Sequence, residues 1–179
     1  DIKPKNLTDA EKKEVFANTK GWVREAGSIL SGNGNTSADP EVLVAIGGLS
    51  ANMGSANITE LEFITTAFDK SDGGTLQVRA RFNEPVTVTG TPQLTVVNDS
   101  RANHTLSYAS GSTTNELVFS LTIGAANAAT NAGDVLSIGT NAMALNGGTI
   151  KDTGQSGTNA TITNAASIGT AAGTITVTA

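Results

Sequence analysis

The stretch Leu76-Gln77-Val78-Arg79-Ala80-Arg81-Phe82-Asn83-Glu84-Pro85-Val86-Thr87-Val88-Thr89-Gly90-Thr91-Pro92-Gln93-Leu94-Thr95-Val96-Val97 decides the fold. Leu76, Val78, Ala80 and Phe82 alternate with Gln77, Arg79, Arg81 and Asn83, the period-two pattern of a strand with one buried and one wet face. Proline donates no ladder hydrogen bond, so Glu84-Pro85 reads as a break. Val86 and Val88 then alternate with Thr87 and Thr89. Gly90-Thr91-Pro92 turns the chain, and Leu94 and Val96 resume the pattern. Three short strands joined by tight turns leave an apolar face that only a second layer can cover. The expectation is a mainly-β sandwich.

Downstream, the same pattern recurs. Strands are predicted at Leu61–Ala67, Thr75–Phe82, Val86–Thr89, Gln93–Val97, Thr105–Tyr108, Glu116–Ile123, Val135–Ile138, Ala160–Thr163 and Thr174–Thr178. Turn signals such as Asp72-Gly73-Gly74, Asn98-Asp99-Ser100 and Asn146-Gly147-Gly148 separate them, as in sandwiches. Leu117, Phe119, Leu121 and Ile123 mark the central strand of the second sheet. The predicted domain division is an arm at residues 1–60 and a sandwich at 61–179.

Upstream, Thr8-Asp9-Ala10-Glu11 fits a capping box, and it predicts one short helix from Asp9 to about Asn18. Residues 31–41 are a loop by composition. The run Val42-Leu43-Val44-Ala45-Ile46 is apolar throughout, the pattern of a strand buried on both faces or of a short buried helix. Residues 51–60 read as a linker. Val15, Phe16, Trp22, Val23, Val42, Leu43, Val44 and Ile46, even with Ile29 and Leu30, are too few and too interrupted for a core of their own. They are therefore expected to pack either on the sandwich or on another protein, and the second is preferred: an arm that orders on binding, with Trp22 as an anchor.

Composition narrows the function. The 179 residues are 38% hydrophobic but only 4% aromatic, with 20 glycines, so Val, Ile, Leu and Ala must build the core. A net charge of −5 with no basic stripe argues against nucleic-acid binding. The chain has no cysteine, which excludes disulfides and thiolate chemistry. No apolar run is long enough to span a bilayer. The chain opens on Asp1, which suggests processing or trimming, and shows no signal-peptide pattern.

No residue set makes an active site, and no cofactor or metal is expected. His104, the single histidine, lies in the polar segment Arg101-Ala102-Asn103-His104-Thr105 and reads as a surface turn residue. Nothing beside it supplies a nucleophile or an orienting carboxylate. Asp69, Asp72, Asp99, Asp134 and Asp152 sit in or beside turns. Oxygen-rich turns of this kind can bind calcium, but no Asp-x-Asp-x-Asp-Gly spacing occurs, and Asx-turn and capping roles account for them. No glycine-rich phosphate loop is present. The Thr and Ser faces of the strands offer a flat surface for glycans but few aromatics.

Phe82-Asn83-Glu84-Pro85-Val86-Thr87-Val88-Thr89-Gly90-Thr91-Pro92-Gln93-Leu94-Thr95-Val96, with Leu106–Ser112, Leu117–Phe119 and Asn146–Asp152, resembles the bacterial immunoglobulin-like repeats of surface adhesins and phage virion proteins. Lys20-Gly21-Trp22-Val23-Arg24, followed after a gap by Glu41–Gly47, resembles the N-terminal segment of small structural proteins of marine tailed phages. The resemblance implies an Ig-like sandwich behind a docking arm, and no catalytic residues. It implies a decoration or cement protein on the virion head surface, partnered by the major capsid protein or another virion protein and by itself as a dimer or trimer. An adhesin or tail-fibre module binding host-surface glycans is the alternative.

Overall fold

A computed structural model of the chain describes residues 3–31, 34–155 and 157–179. In chain order, the first part holds α1 (Asp9–Lys13), β1 (Val15–Asn18), β2 (Gly21–Arg24), a 3₁₀ turn at Ile29–Ser31, β3 (Glu41–Ala45) and α2 (Leu49–Asn52). Then follow β4 (Ile58–Phe63), β5 (Phe68–Asp69), β6 (Gly74–Thr89), β7 (Gln93–Asn98), β8 (His104–Ser110) and β9 (Thr114–Ile123). The chain ends with β10 (Val135–Ser137), β11 (Met143–Ala144), β12 (Thr149–Asp152), α3 (Ala166–Ala171) and β13 (Ile175–Thr178). Of the loop read at residues 31–41, residues 32 and 33 lie outside the described residues.

The fold is mainly β and sandwich-like, as the strand pattern predicts. One hydrogen-bonded path runs β12-β6-β9-β8-β7-β10-β13-β5, with β4 added to β6 and β11 to β7. It folds over a single large core that includes Leu61, Leu76, Val78, Ala80, Phe82, Leu94, Leu106, Leu117, Phe119 and Leu136. The alternating residues of the quoted stretch supply one wall of that core. Tyr108 meets Phe119 edge to face, with ring centroids 6.2 Å apart.

Several expectations change. Glu84-Pro85 does not break the strand. β6 runs unbroken for 16 residues, and the pair is absorbed where its register against β9 shifts between Arg81 and Val86. A proline is tolerated at such an irregularity because no ladder bond needs its N–H. Its carbonyl still accepts from Thr153 N at 3.0 Å. Residues 160–163 form no strand; isolated bridges Asn57↔Thr161 and Lys151↔Asn159 take its place. His104 is not on the surface but buried, opposite Val96 in the β7–β8 ladder.

The N-terminal part needs the largest correction. The capping box forms as read: Thr8 Oγ1 accepts from Glu11 N, and Glu11 accepts from Thr8 N at 2.8 Å. The helix stops at Lys13 with Glu14 as its C-cap, because Val15, Phe16 and Ala17 beyond it are buried as strand. β1, β2 and β3 form an antiparallel sheet. Val15, Ala17 and Trp22 pack with Leu49 and Met53, and Leu7 and Leu43 lie against them. The missing half of this small core is α2 and Met53, within the segment read in part as a linker. Ala56 and Ile58 from that same segment enter the main core. Trp22 is 4% exposed, and Val15, Phe16 and Val23 are buried as well. These four residues pack within the chain and do not wait for a partner.

Candidate functional site: an apolar edge strand and a charged seam

β3 differs from the other strands in how its sequence fits its surroundings. Among the described residues it pairs only with β2, so its other edge has no strand beside it. Cross-strand partners share a face of the sheet. Val44 opposes Trp22 and so lies on the side of the small core, while Val42 opposes Val23 on the other side. Ile46 continues the register, its N–H donating to Lys20 O at 3.1 Å. Val42, Val44 and Ile46 remain 43%, 40% and 43% exposed. A run apolar on both faces belongs to a strand covered on both faces; here it is an edge with both faces half open. Natural edges are usually guarded by lysine, proline or a bulge. β3 has a register shift near Leu43 but carries no lysine or proline.

The hairpin that presents β3 depends on Gly21. Its φ is +135°, and a Cβ there would stand 2.0 Å from Val44 O. Asn18 Oδ1 accepts from Lys20 N at 2.8 Å and sets the preceding turn.

A charged seam joins this small sheet to the sandwich. Arg81, predicted on the wet face of β6, is buried, because that face is covered by the N-terminal part. Its guanidinium reaches Glu116 at 2.6 Å, Glu60 at 2.8 Å, Glu62 at 3.0 Å and Glu25 at 3.6 Å. Glu25 lies just after β2 and accepts from Asn115 Nδ2 at 2.8 Å. Lys13 adds a second bridge across the seam, to Glu60 at 2.7 Å. Burial, then the neighbouring Glu116 carboxylate, pushes the Glu25 carboxyl up to about 7. For Glu60, burial works against ionisation, but hydrogen bonds from Lys13 and Arg81 outweigh it and hold its pKa below the ordinary value. Burial lowers the Lys3 amine to about 8. A cleft of about 490 Å³ opens along the seam, lined in part by Phe16, Asn18, Glu25, Pro85 and Glu116.

Two buried groups stand apart. Glu84 is fully buried in the β6 irregularity. Its Oε1 accepts from Asn83 Nδ2 at 3.3 Å, and its Oε2 has no partner among the described residues. Burial and the Asp152 carboxylate raise its pKa to about 7. His104 Nε2 is likewise buried without a partner among the described residues, and burial lowers its pKa against the pull of Asp134. Neither side chain forms a described hydrogen bond to a hydroxyl nucleophile, the first requirement of covalent catalysis.

Four of the five turn aspartates, Asp69, Asp99, Asp134 and Asp152, hold their turns through side-chain hydrogen bonds. Asp69 Oδ1 accepts from Ser71 N, Asp99 Oδ1 from Val135 N, and Asp152 from Ala56 N and Gln155 N, at 2.8–3.0 Å. Asp134 accepts from Asn98 Nδ2, Ser100 Oγ and Asn131 N. Among the described residues, no group of three or more His, Cys, Asp or Glu side chains is placed to hold a metal ion.

Of the eight residues predicted to dock a partner, Val42, Val44 and Ile46 are open, and Leu43 is half-buried against the small core. The seam escaped sequence reading. Its only trace was charge matching: Glu60 and Glu62 on β4 and Arg79 and Arg81 on β6 share alternation phases that antiparallel pairing brings together.

No protein-family model, no curated protein and no solved structure matches the chain.

Proposed function

We propose that this chain is a structural protein of a phage virion, a decoration or cement protein. It holds the head through β3 and turns its immunoglobulin-like sandwich outward. The observation that carries the reading is the apolar strand left half exposed at the edge of the N-terminal sheet. Exposed contiguous apolar surface on an otherwise polar protein marks an interaction site. The packing of the N-terminal part on the sandwich also fits a rigid adaptor better than a tether. Placement on the head and the capsid-protein partner come from the sequence resemblance.

The glycan-binding alternative finds less support. Sugar sites stack rings on exposed aromatics, and Trp22 and all five phenylalanines are buried.

The test is co-sedimentation with heads that lack the protein, comparing the native chain with Val44→Asp and Ile46→Asp. Both positions are half open, so the variants fold, as circular dichroism would verify. Loss of particle binding by folded variants is the expected result. Undiminished binding would overturn the assignment of β3 as the docking strand. Failure of the native chain to bind any head would overturn the reading as a whole.

A further inference from the structure

We propose that the free edge of β3 pairs antiparallel with the same strand of a second copy, about a two-fold axis at Ala45. The pairing rests on the same exposed strand as the docking reading: it covers Val44 and Ile46 in free solution, without particles, and docking on a head displaces it.

The backbone geometry supplies the first argument. In an antiparallel ladder, hydrogen-bonded and non-bonded pairs alternate. Ile46 N donates to Lys20 O, so the Lys20–Ile46 pair is bonded. The next pair along, Gly21 and Ala45, is then a non-bonded one, and Trp22 with Val44 is bonded again. The N–H and C=O of Ala45 therefore point to the outer edge, where no described hydrogen bond uses them. A two-fold axis at Ala45 lets the two copies exchange these groups directly. It sets Val44 opposite Ile46 of the other copy, twice and on the same face, so four half-open apolar side chains cover one another. Isologous contacts require this self-complementarity.

Charge selects a second copy as the occupant. A chain of net charge −5 repels its own kind unless the contact zone is neutral. Residues 42–48 carry no charge, and this is the window that an Ala45-centred pairing covers. The acidic residues just outside it are already matched within the chain: Glu41 to Arg24 at 3.5 Å and Asp39 to Lys20 at 3.7 Å. Neutral edge thus meets neutral edge, with compensated flanks. The register shift near Leu43 and the Gly47-Gly48 pair bound the regular edge, so the pairing is short. The two sheets become one of six strands.

The test uses the absence of native cysteine. Directly opposed residues of a hydrogen-bonded antiparallel pair have Cα atoms about 5.5 Å apart, inside the disulfide range. Ala45→Cys should oxidise to a covalent dimer roughly tenfold faster than Leu145→Cys, a partly exposed control outside the edge, through the effective concentration of paired thiols. The native chain in sedimentation equilibrium should show a concentration-dependent dimer. Equal cross-linking at both positions, or a native chain that stays monomeric at high concentration, overturns the pairing and leaves the docking reading standing. A dimer that cross-links at position 145 and not at 45 places the interface elsewhere and overturns it too. A dimer that forms while Val44→Asp and Ile46→Asp still bind heads would uphold the pairing and defeat the docking strand instead.

Discussion

Replacing Glu84 with glutamine should stabilise the protein at pH 8 and leave it unchanged near pH 4. The carboxyl is fully buried, one oxygen has no partner among the described residues, and Asp152 repels its charge. Its pKa stands at about 7 in the folded chain, against an ordinary value of 4.5. A raised carboxyl pKa means that the folded state binds the proton more tightly. The side chain therefore costs nothing below pH 4.5, costs progressively more as the pH rises to 7, and costs its full amount above that. The difference of 2.5 pH units at 1.36 kcal/mol each comes to about 3 kcal/mol at pH 8. Glutamine keeps the shape and the contact to Asn83 without the charge. For a chain of this size, each kcal/mol moves the melting temperature by about 2–4 °C, so Glu84→Gln should melt about 6–12 °C higher at pH 8. Calorimetry or circular dichroism from pH 4 to 8 measures it. Equal melting shifts at both ends of the range, or a lower melting temperature at pH 8, would refute the electrostatic account.

His104 gives the opposite slope. Its pKa is lowered by burial, so the unfolded chain takes up a proton first, and stability falls as the pH drops below about 6.5. His104→Gln should shift the midpoint of acid unfolding to lower pH, and an unshifted midpoint would tell against a neutral buried ring. Gly21→Ala should cost several kcal/mol, of order 2–4, because a Cβ is forced onto Val44 O at a positive φ. Hydrogen exchange should then show β3 losing protection ahead of the sandwich, and uniform loss across both would count against a local clash.

The sandwich was legible because its strands obey alternation. Leu76 to Phe82 and Leu117 to Ile123 each place one side chain in two toward the core, and a single sequence carries that signal in full. The reading of residues 1–60 failed for a different reason. Val15, Ala17 and Trp22 find their cover in Leu49 and Met53, nearly thirty residues onward from Trp22 and inside a stretch rich in Ser, Asn and Gly. Local composition there speaks for a linker, and only tertiary closure makes it a lid. Pro85 misled in the same way, since a proline that breaks an ordinary ladder is harmless where the register already slips. Exposure along β3 had no sequence signal at all. An apolar run states what a strand needs, and whether this chain or another meets the need depends on where the sheet ends.

The placement of Arg81 has a mechanical consequence. One guanidinium grips carboxylates from the turn after β2 and from β4 and β9, and it grows from β6, which is bonded in turn to β4, β9 and β12. A pull between β3 and the sandwich is thus delivered through Glu25–Arg81, Glu25–Asn115 and Lys13–Glu60 to β6, β9 and β4. The Glu60, Glu62 and Glu116 contacts of Arg81 lie within the sandwich and keep its guanidinium fixed as the load arrives. The small sheet is built like a handle riveted to a beam.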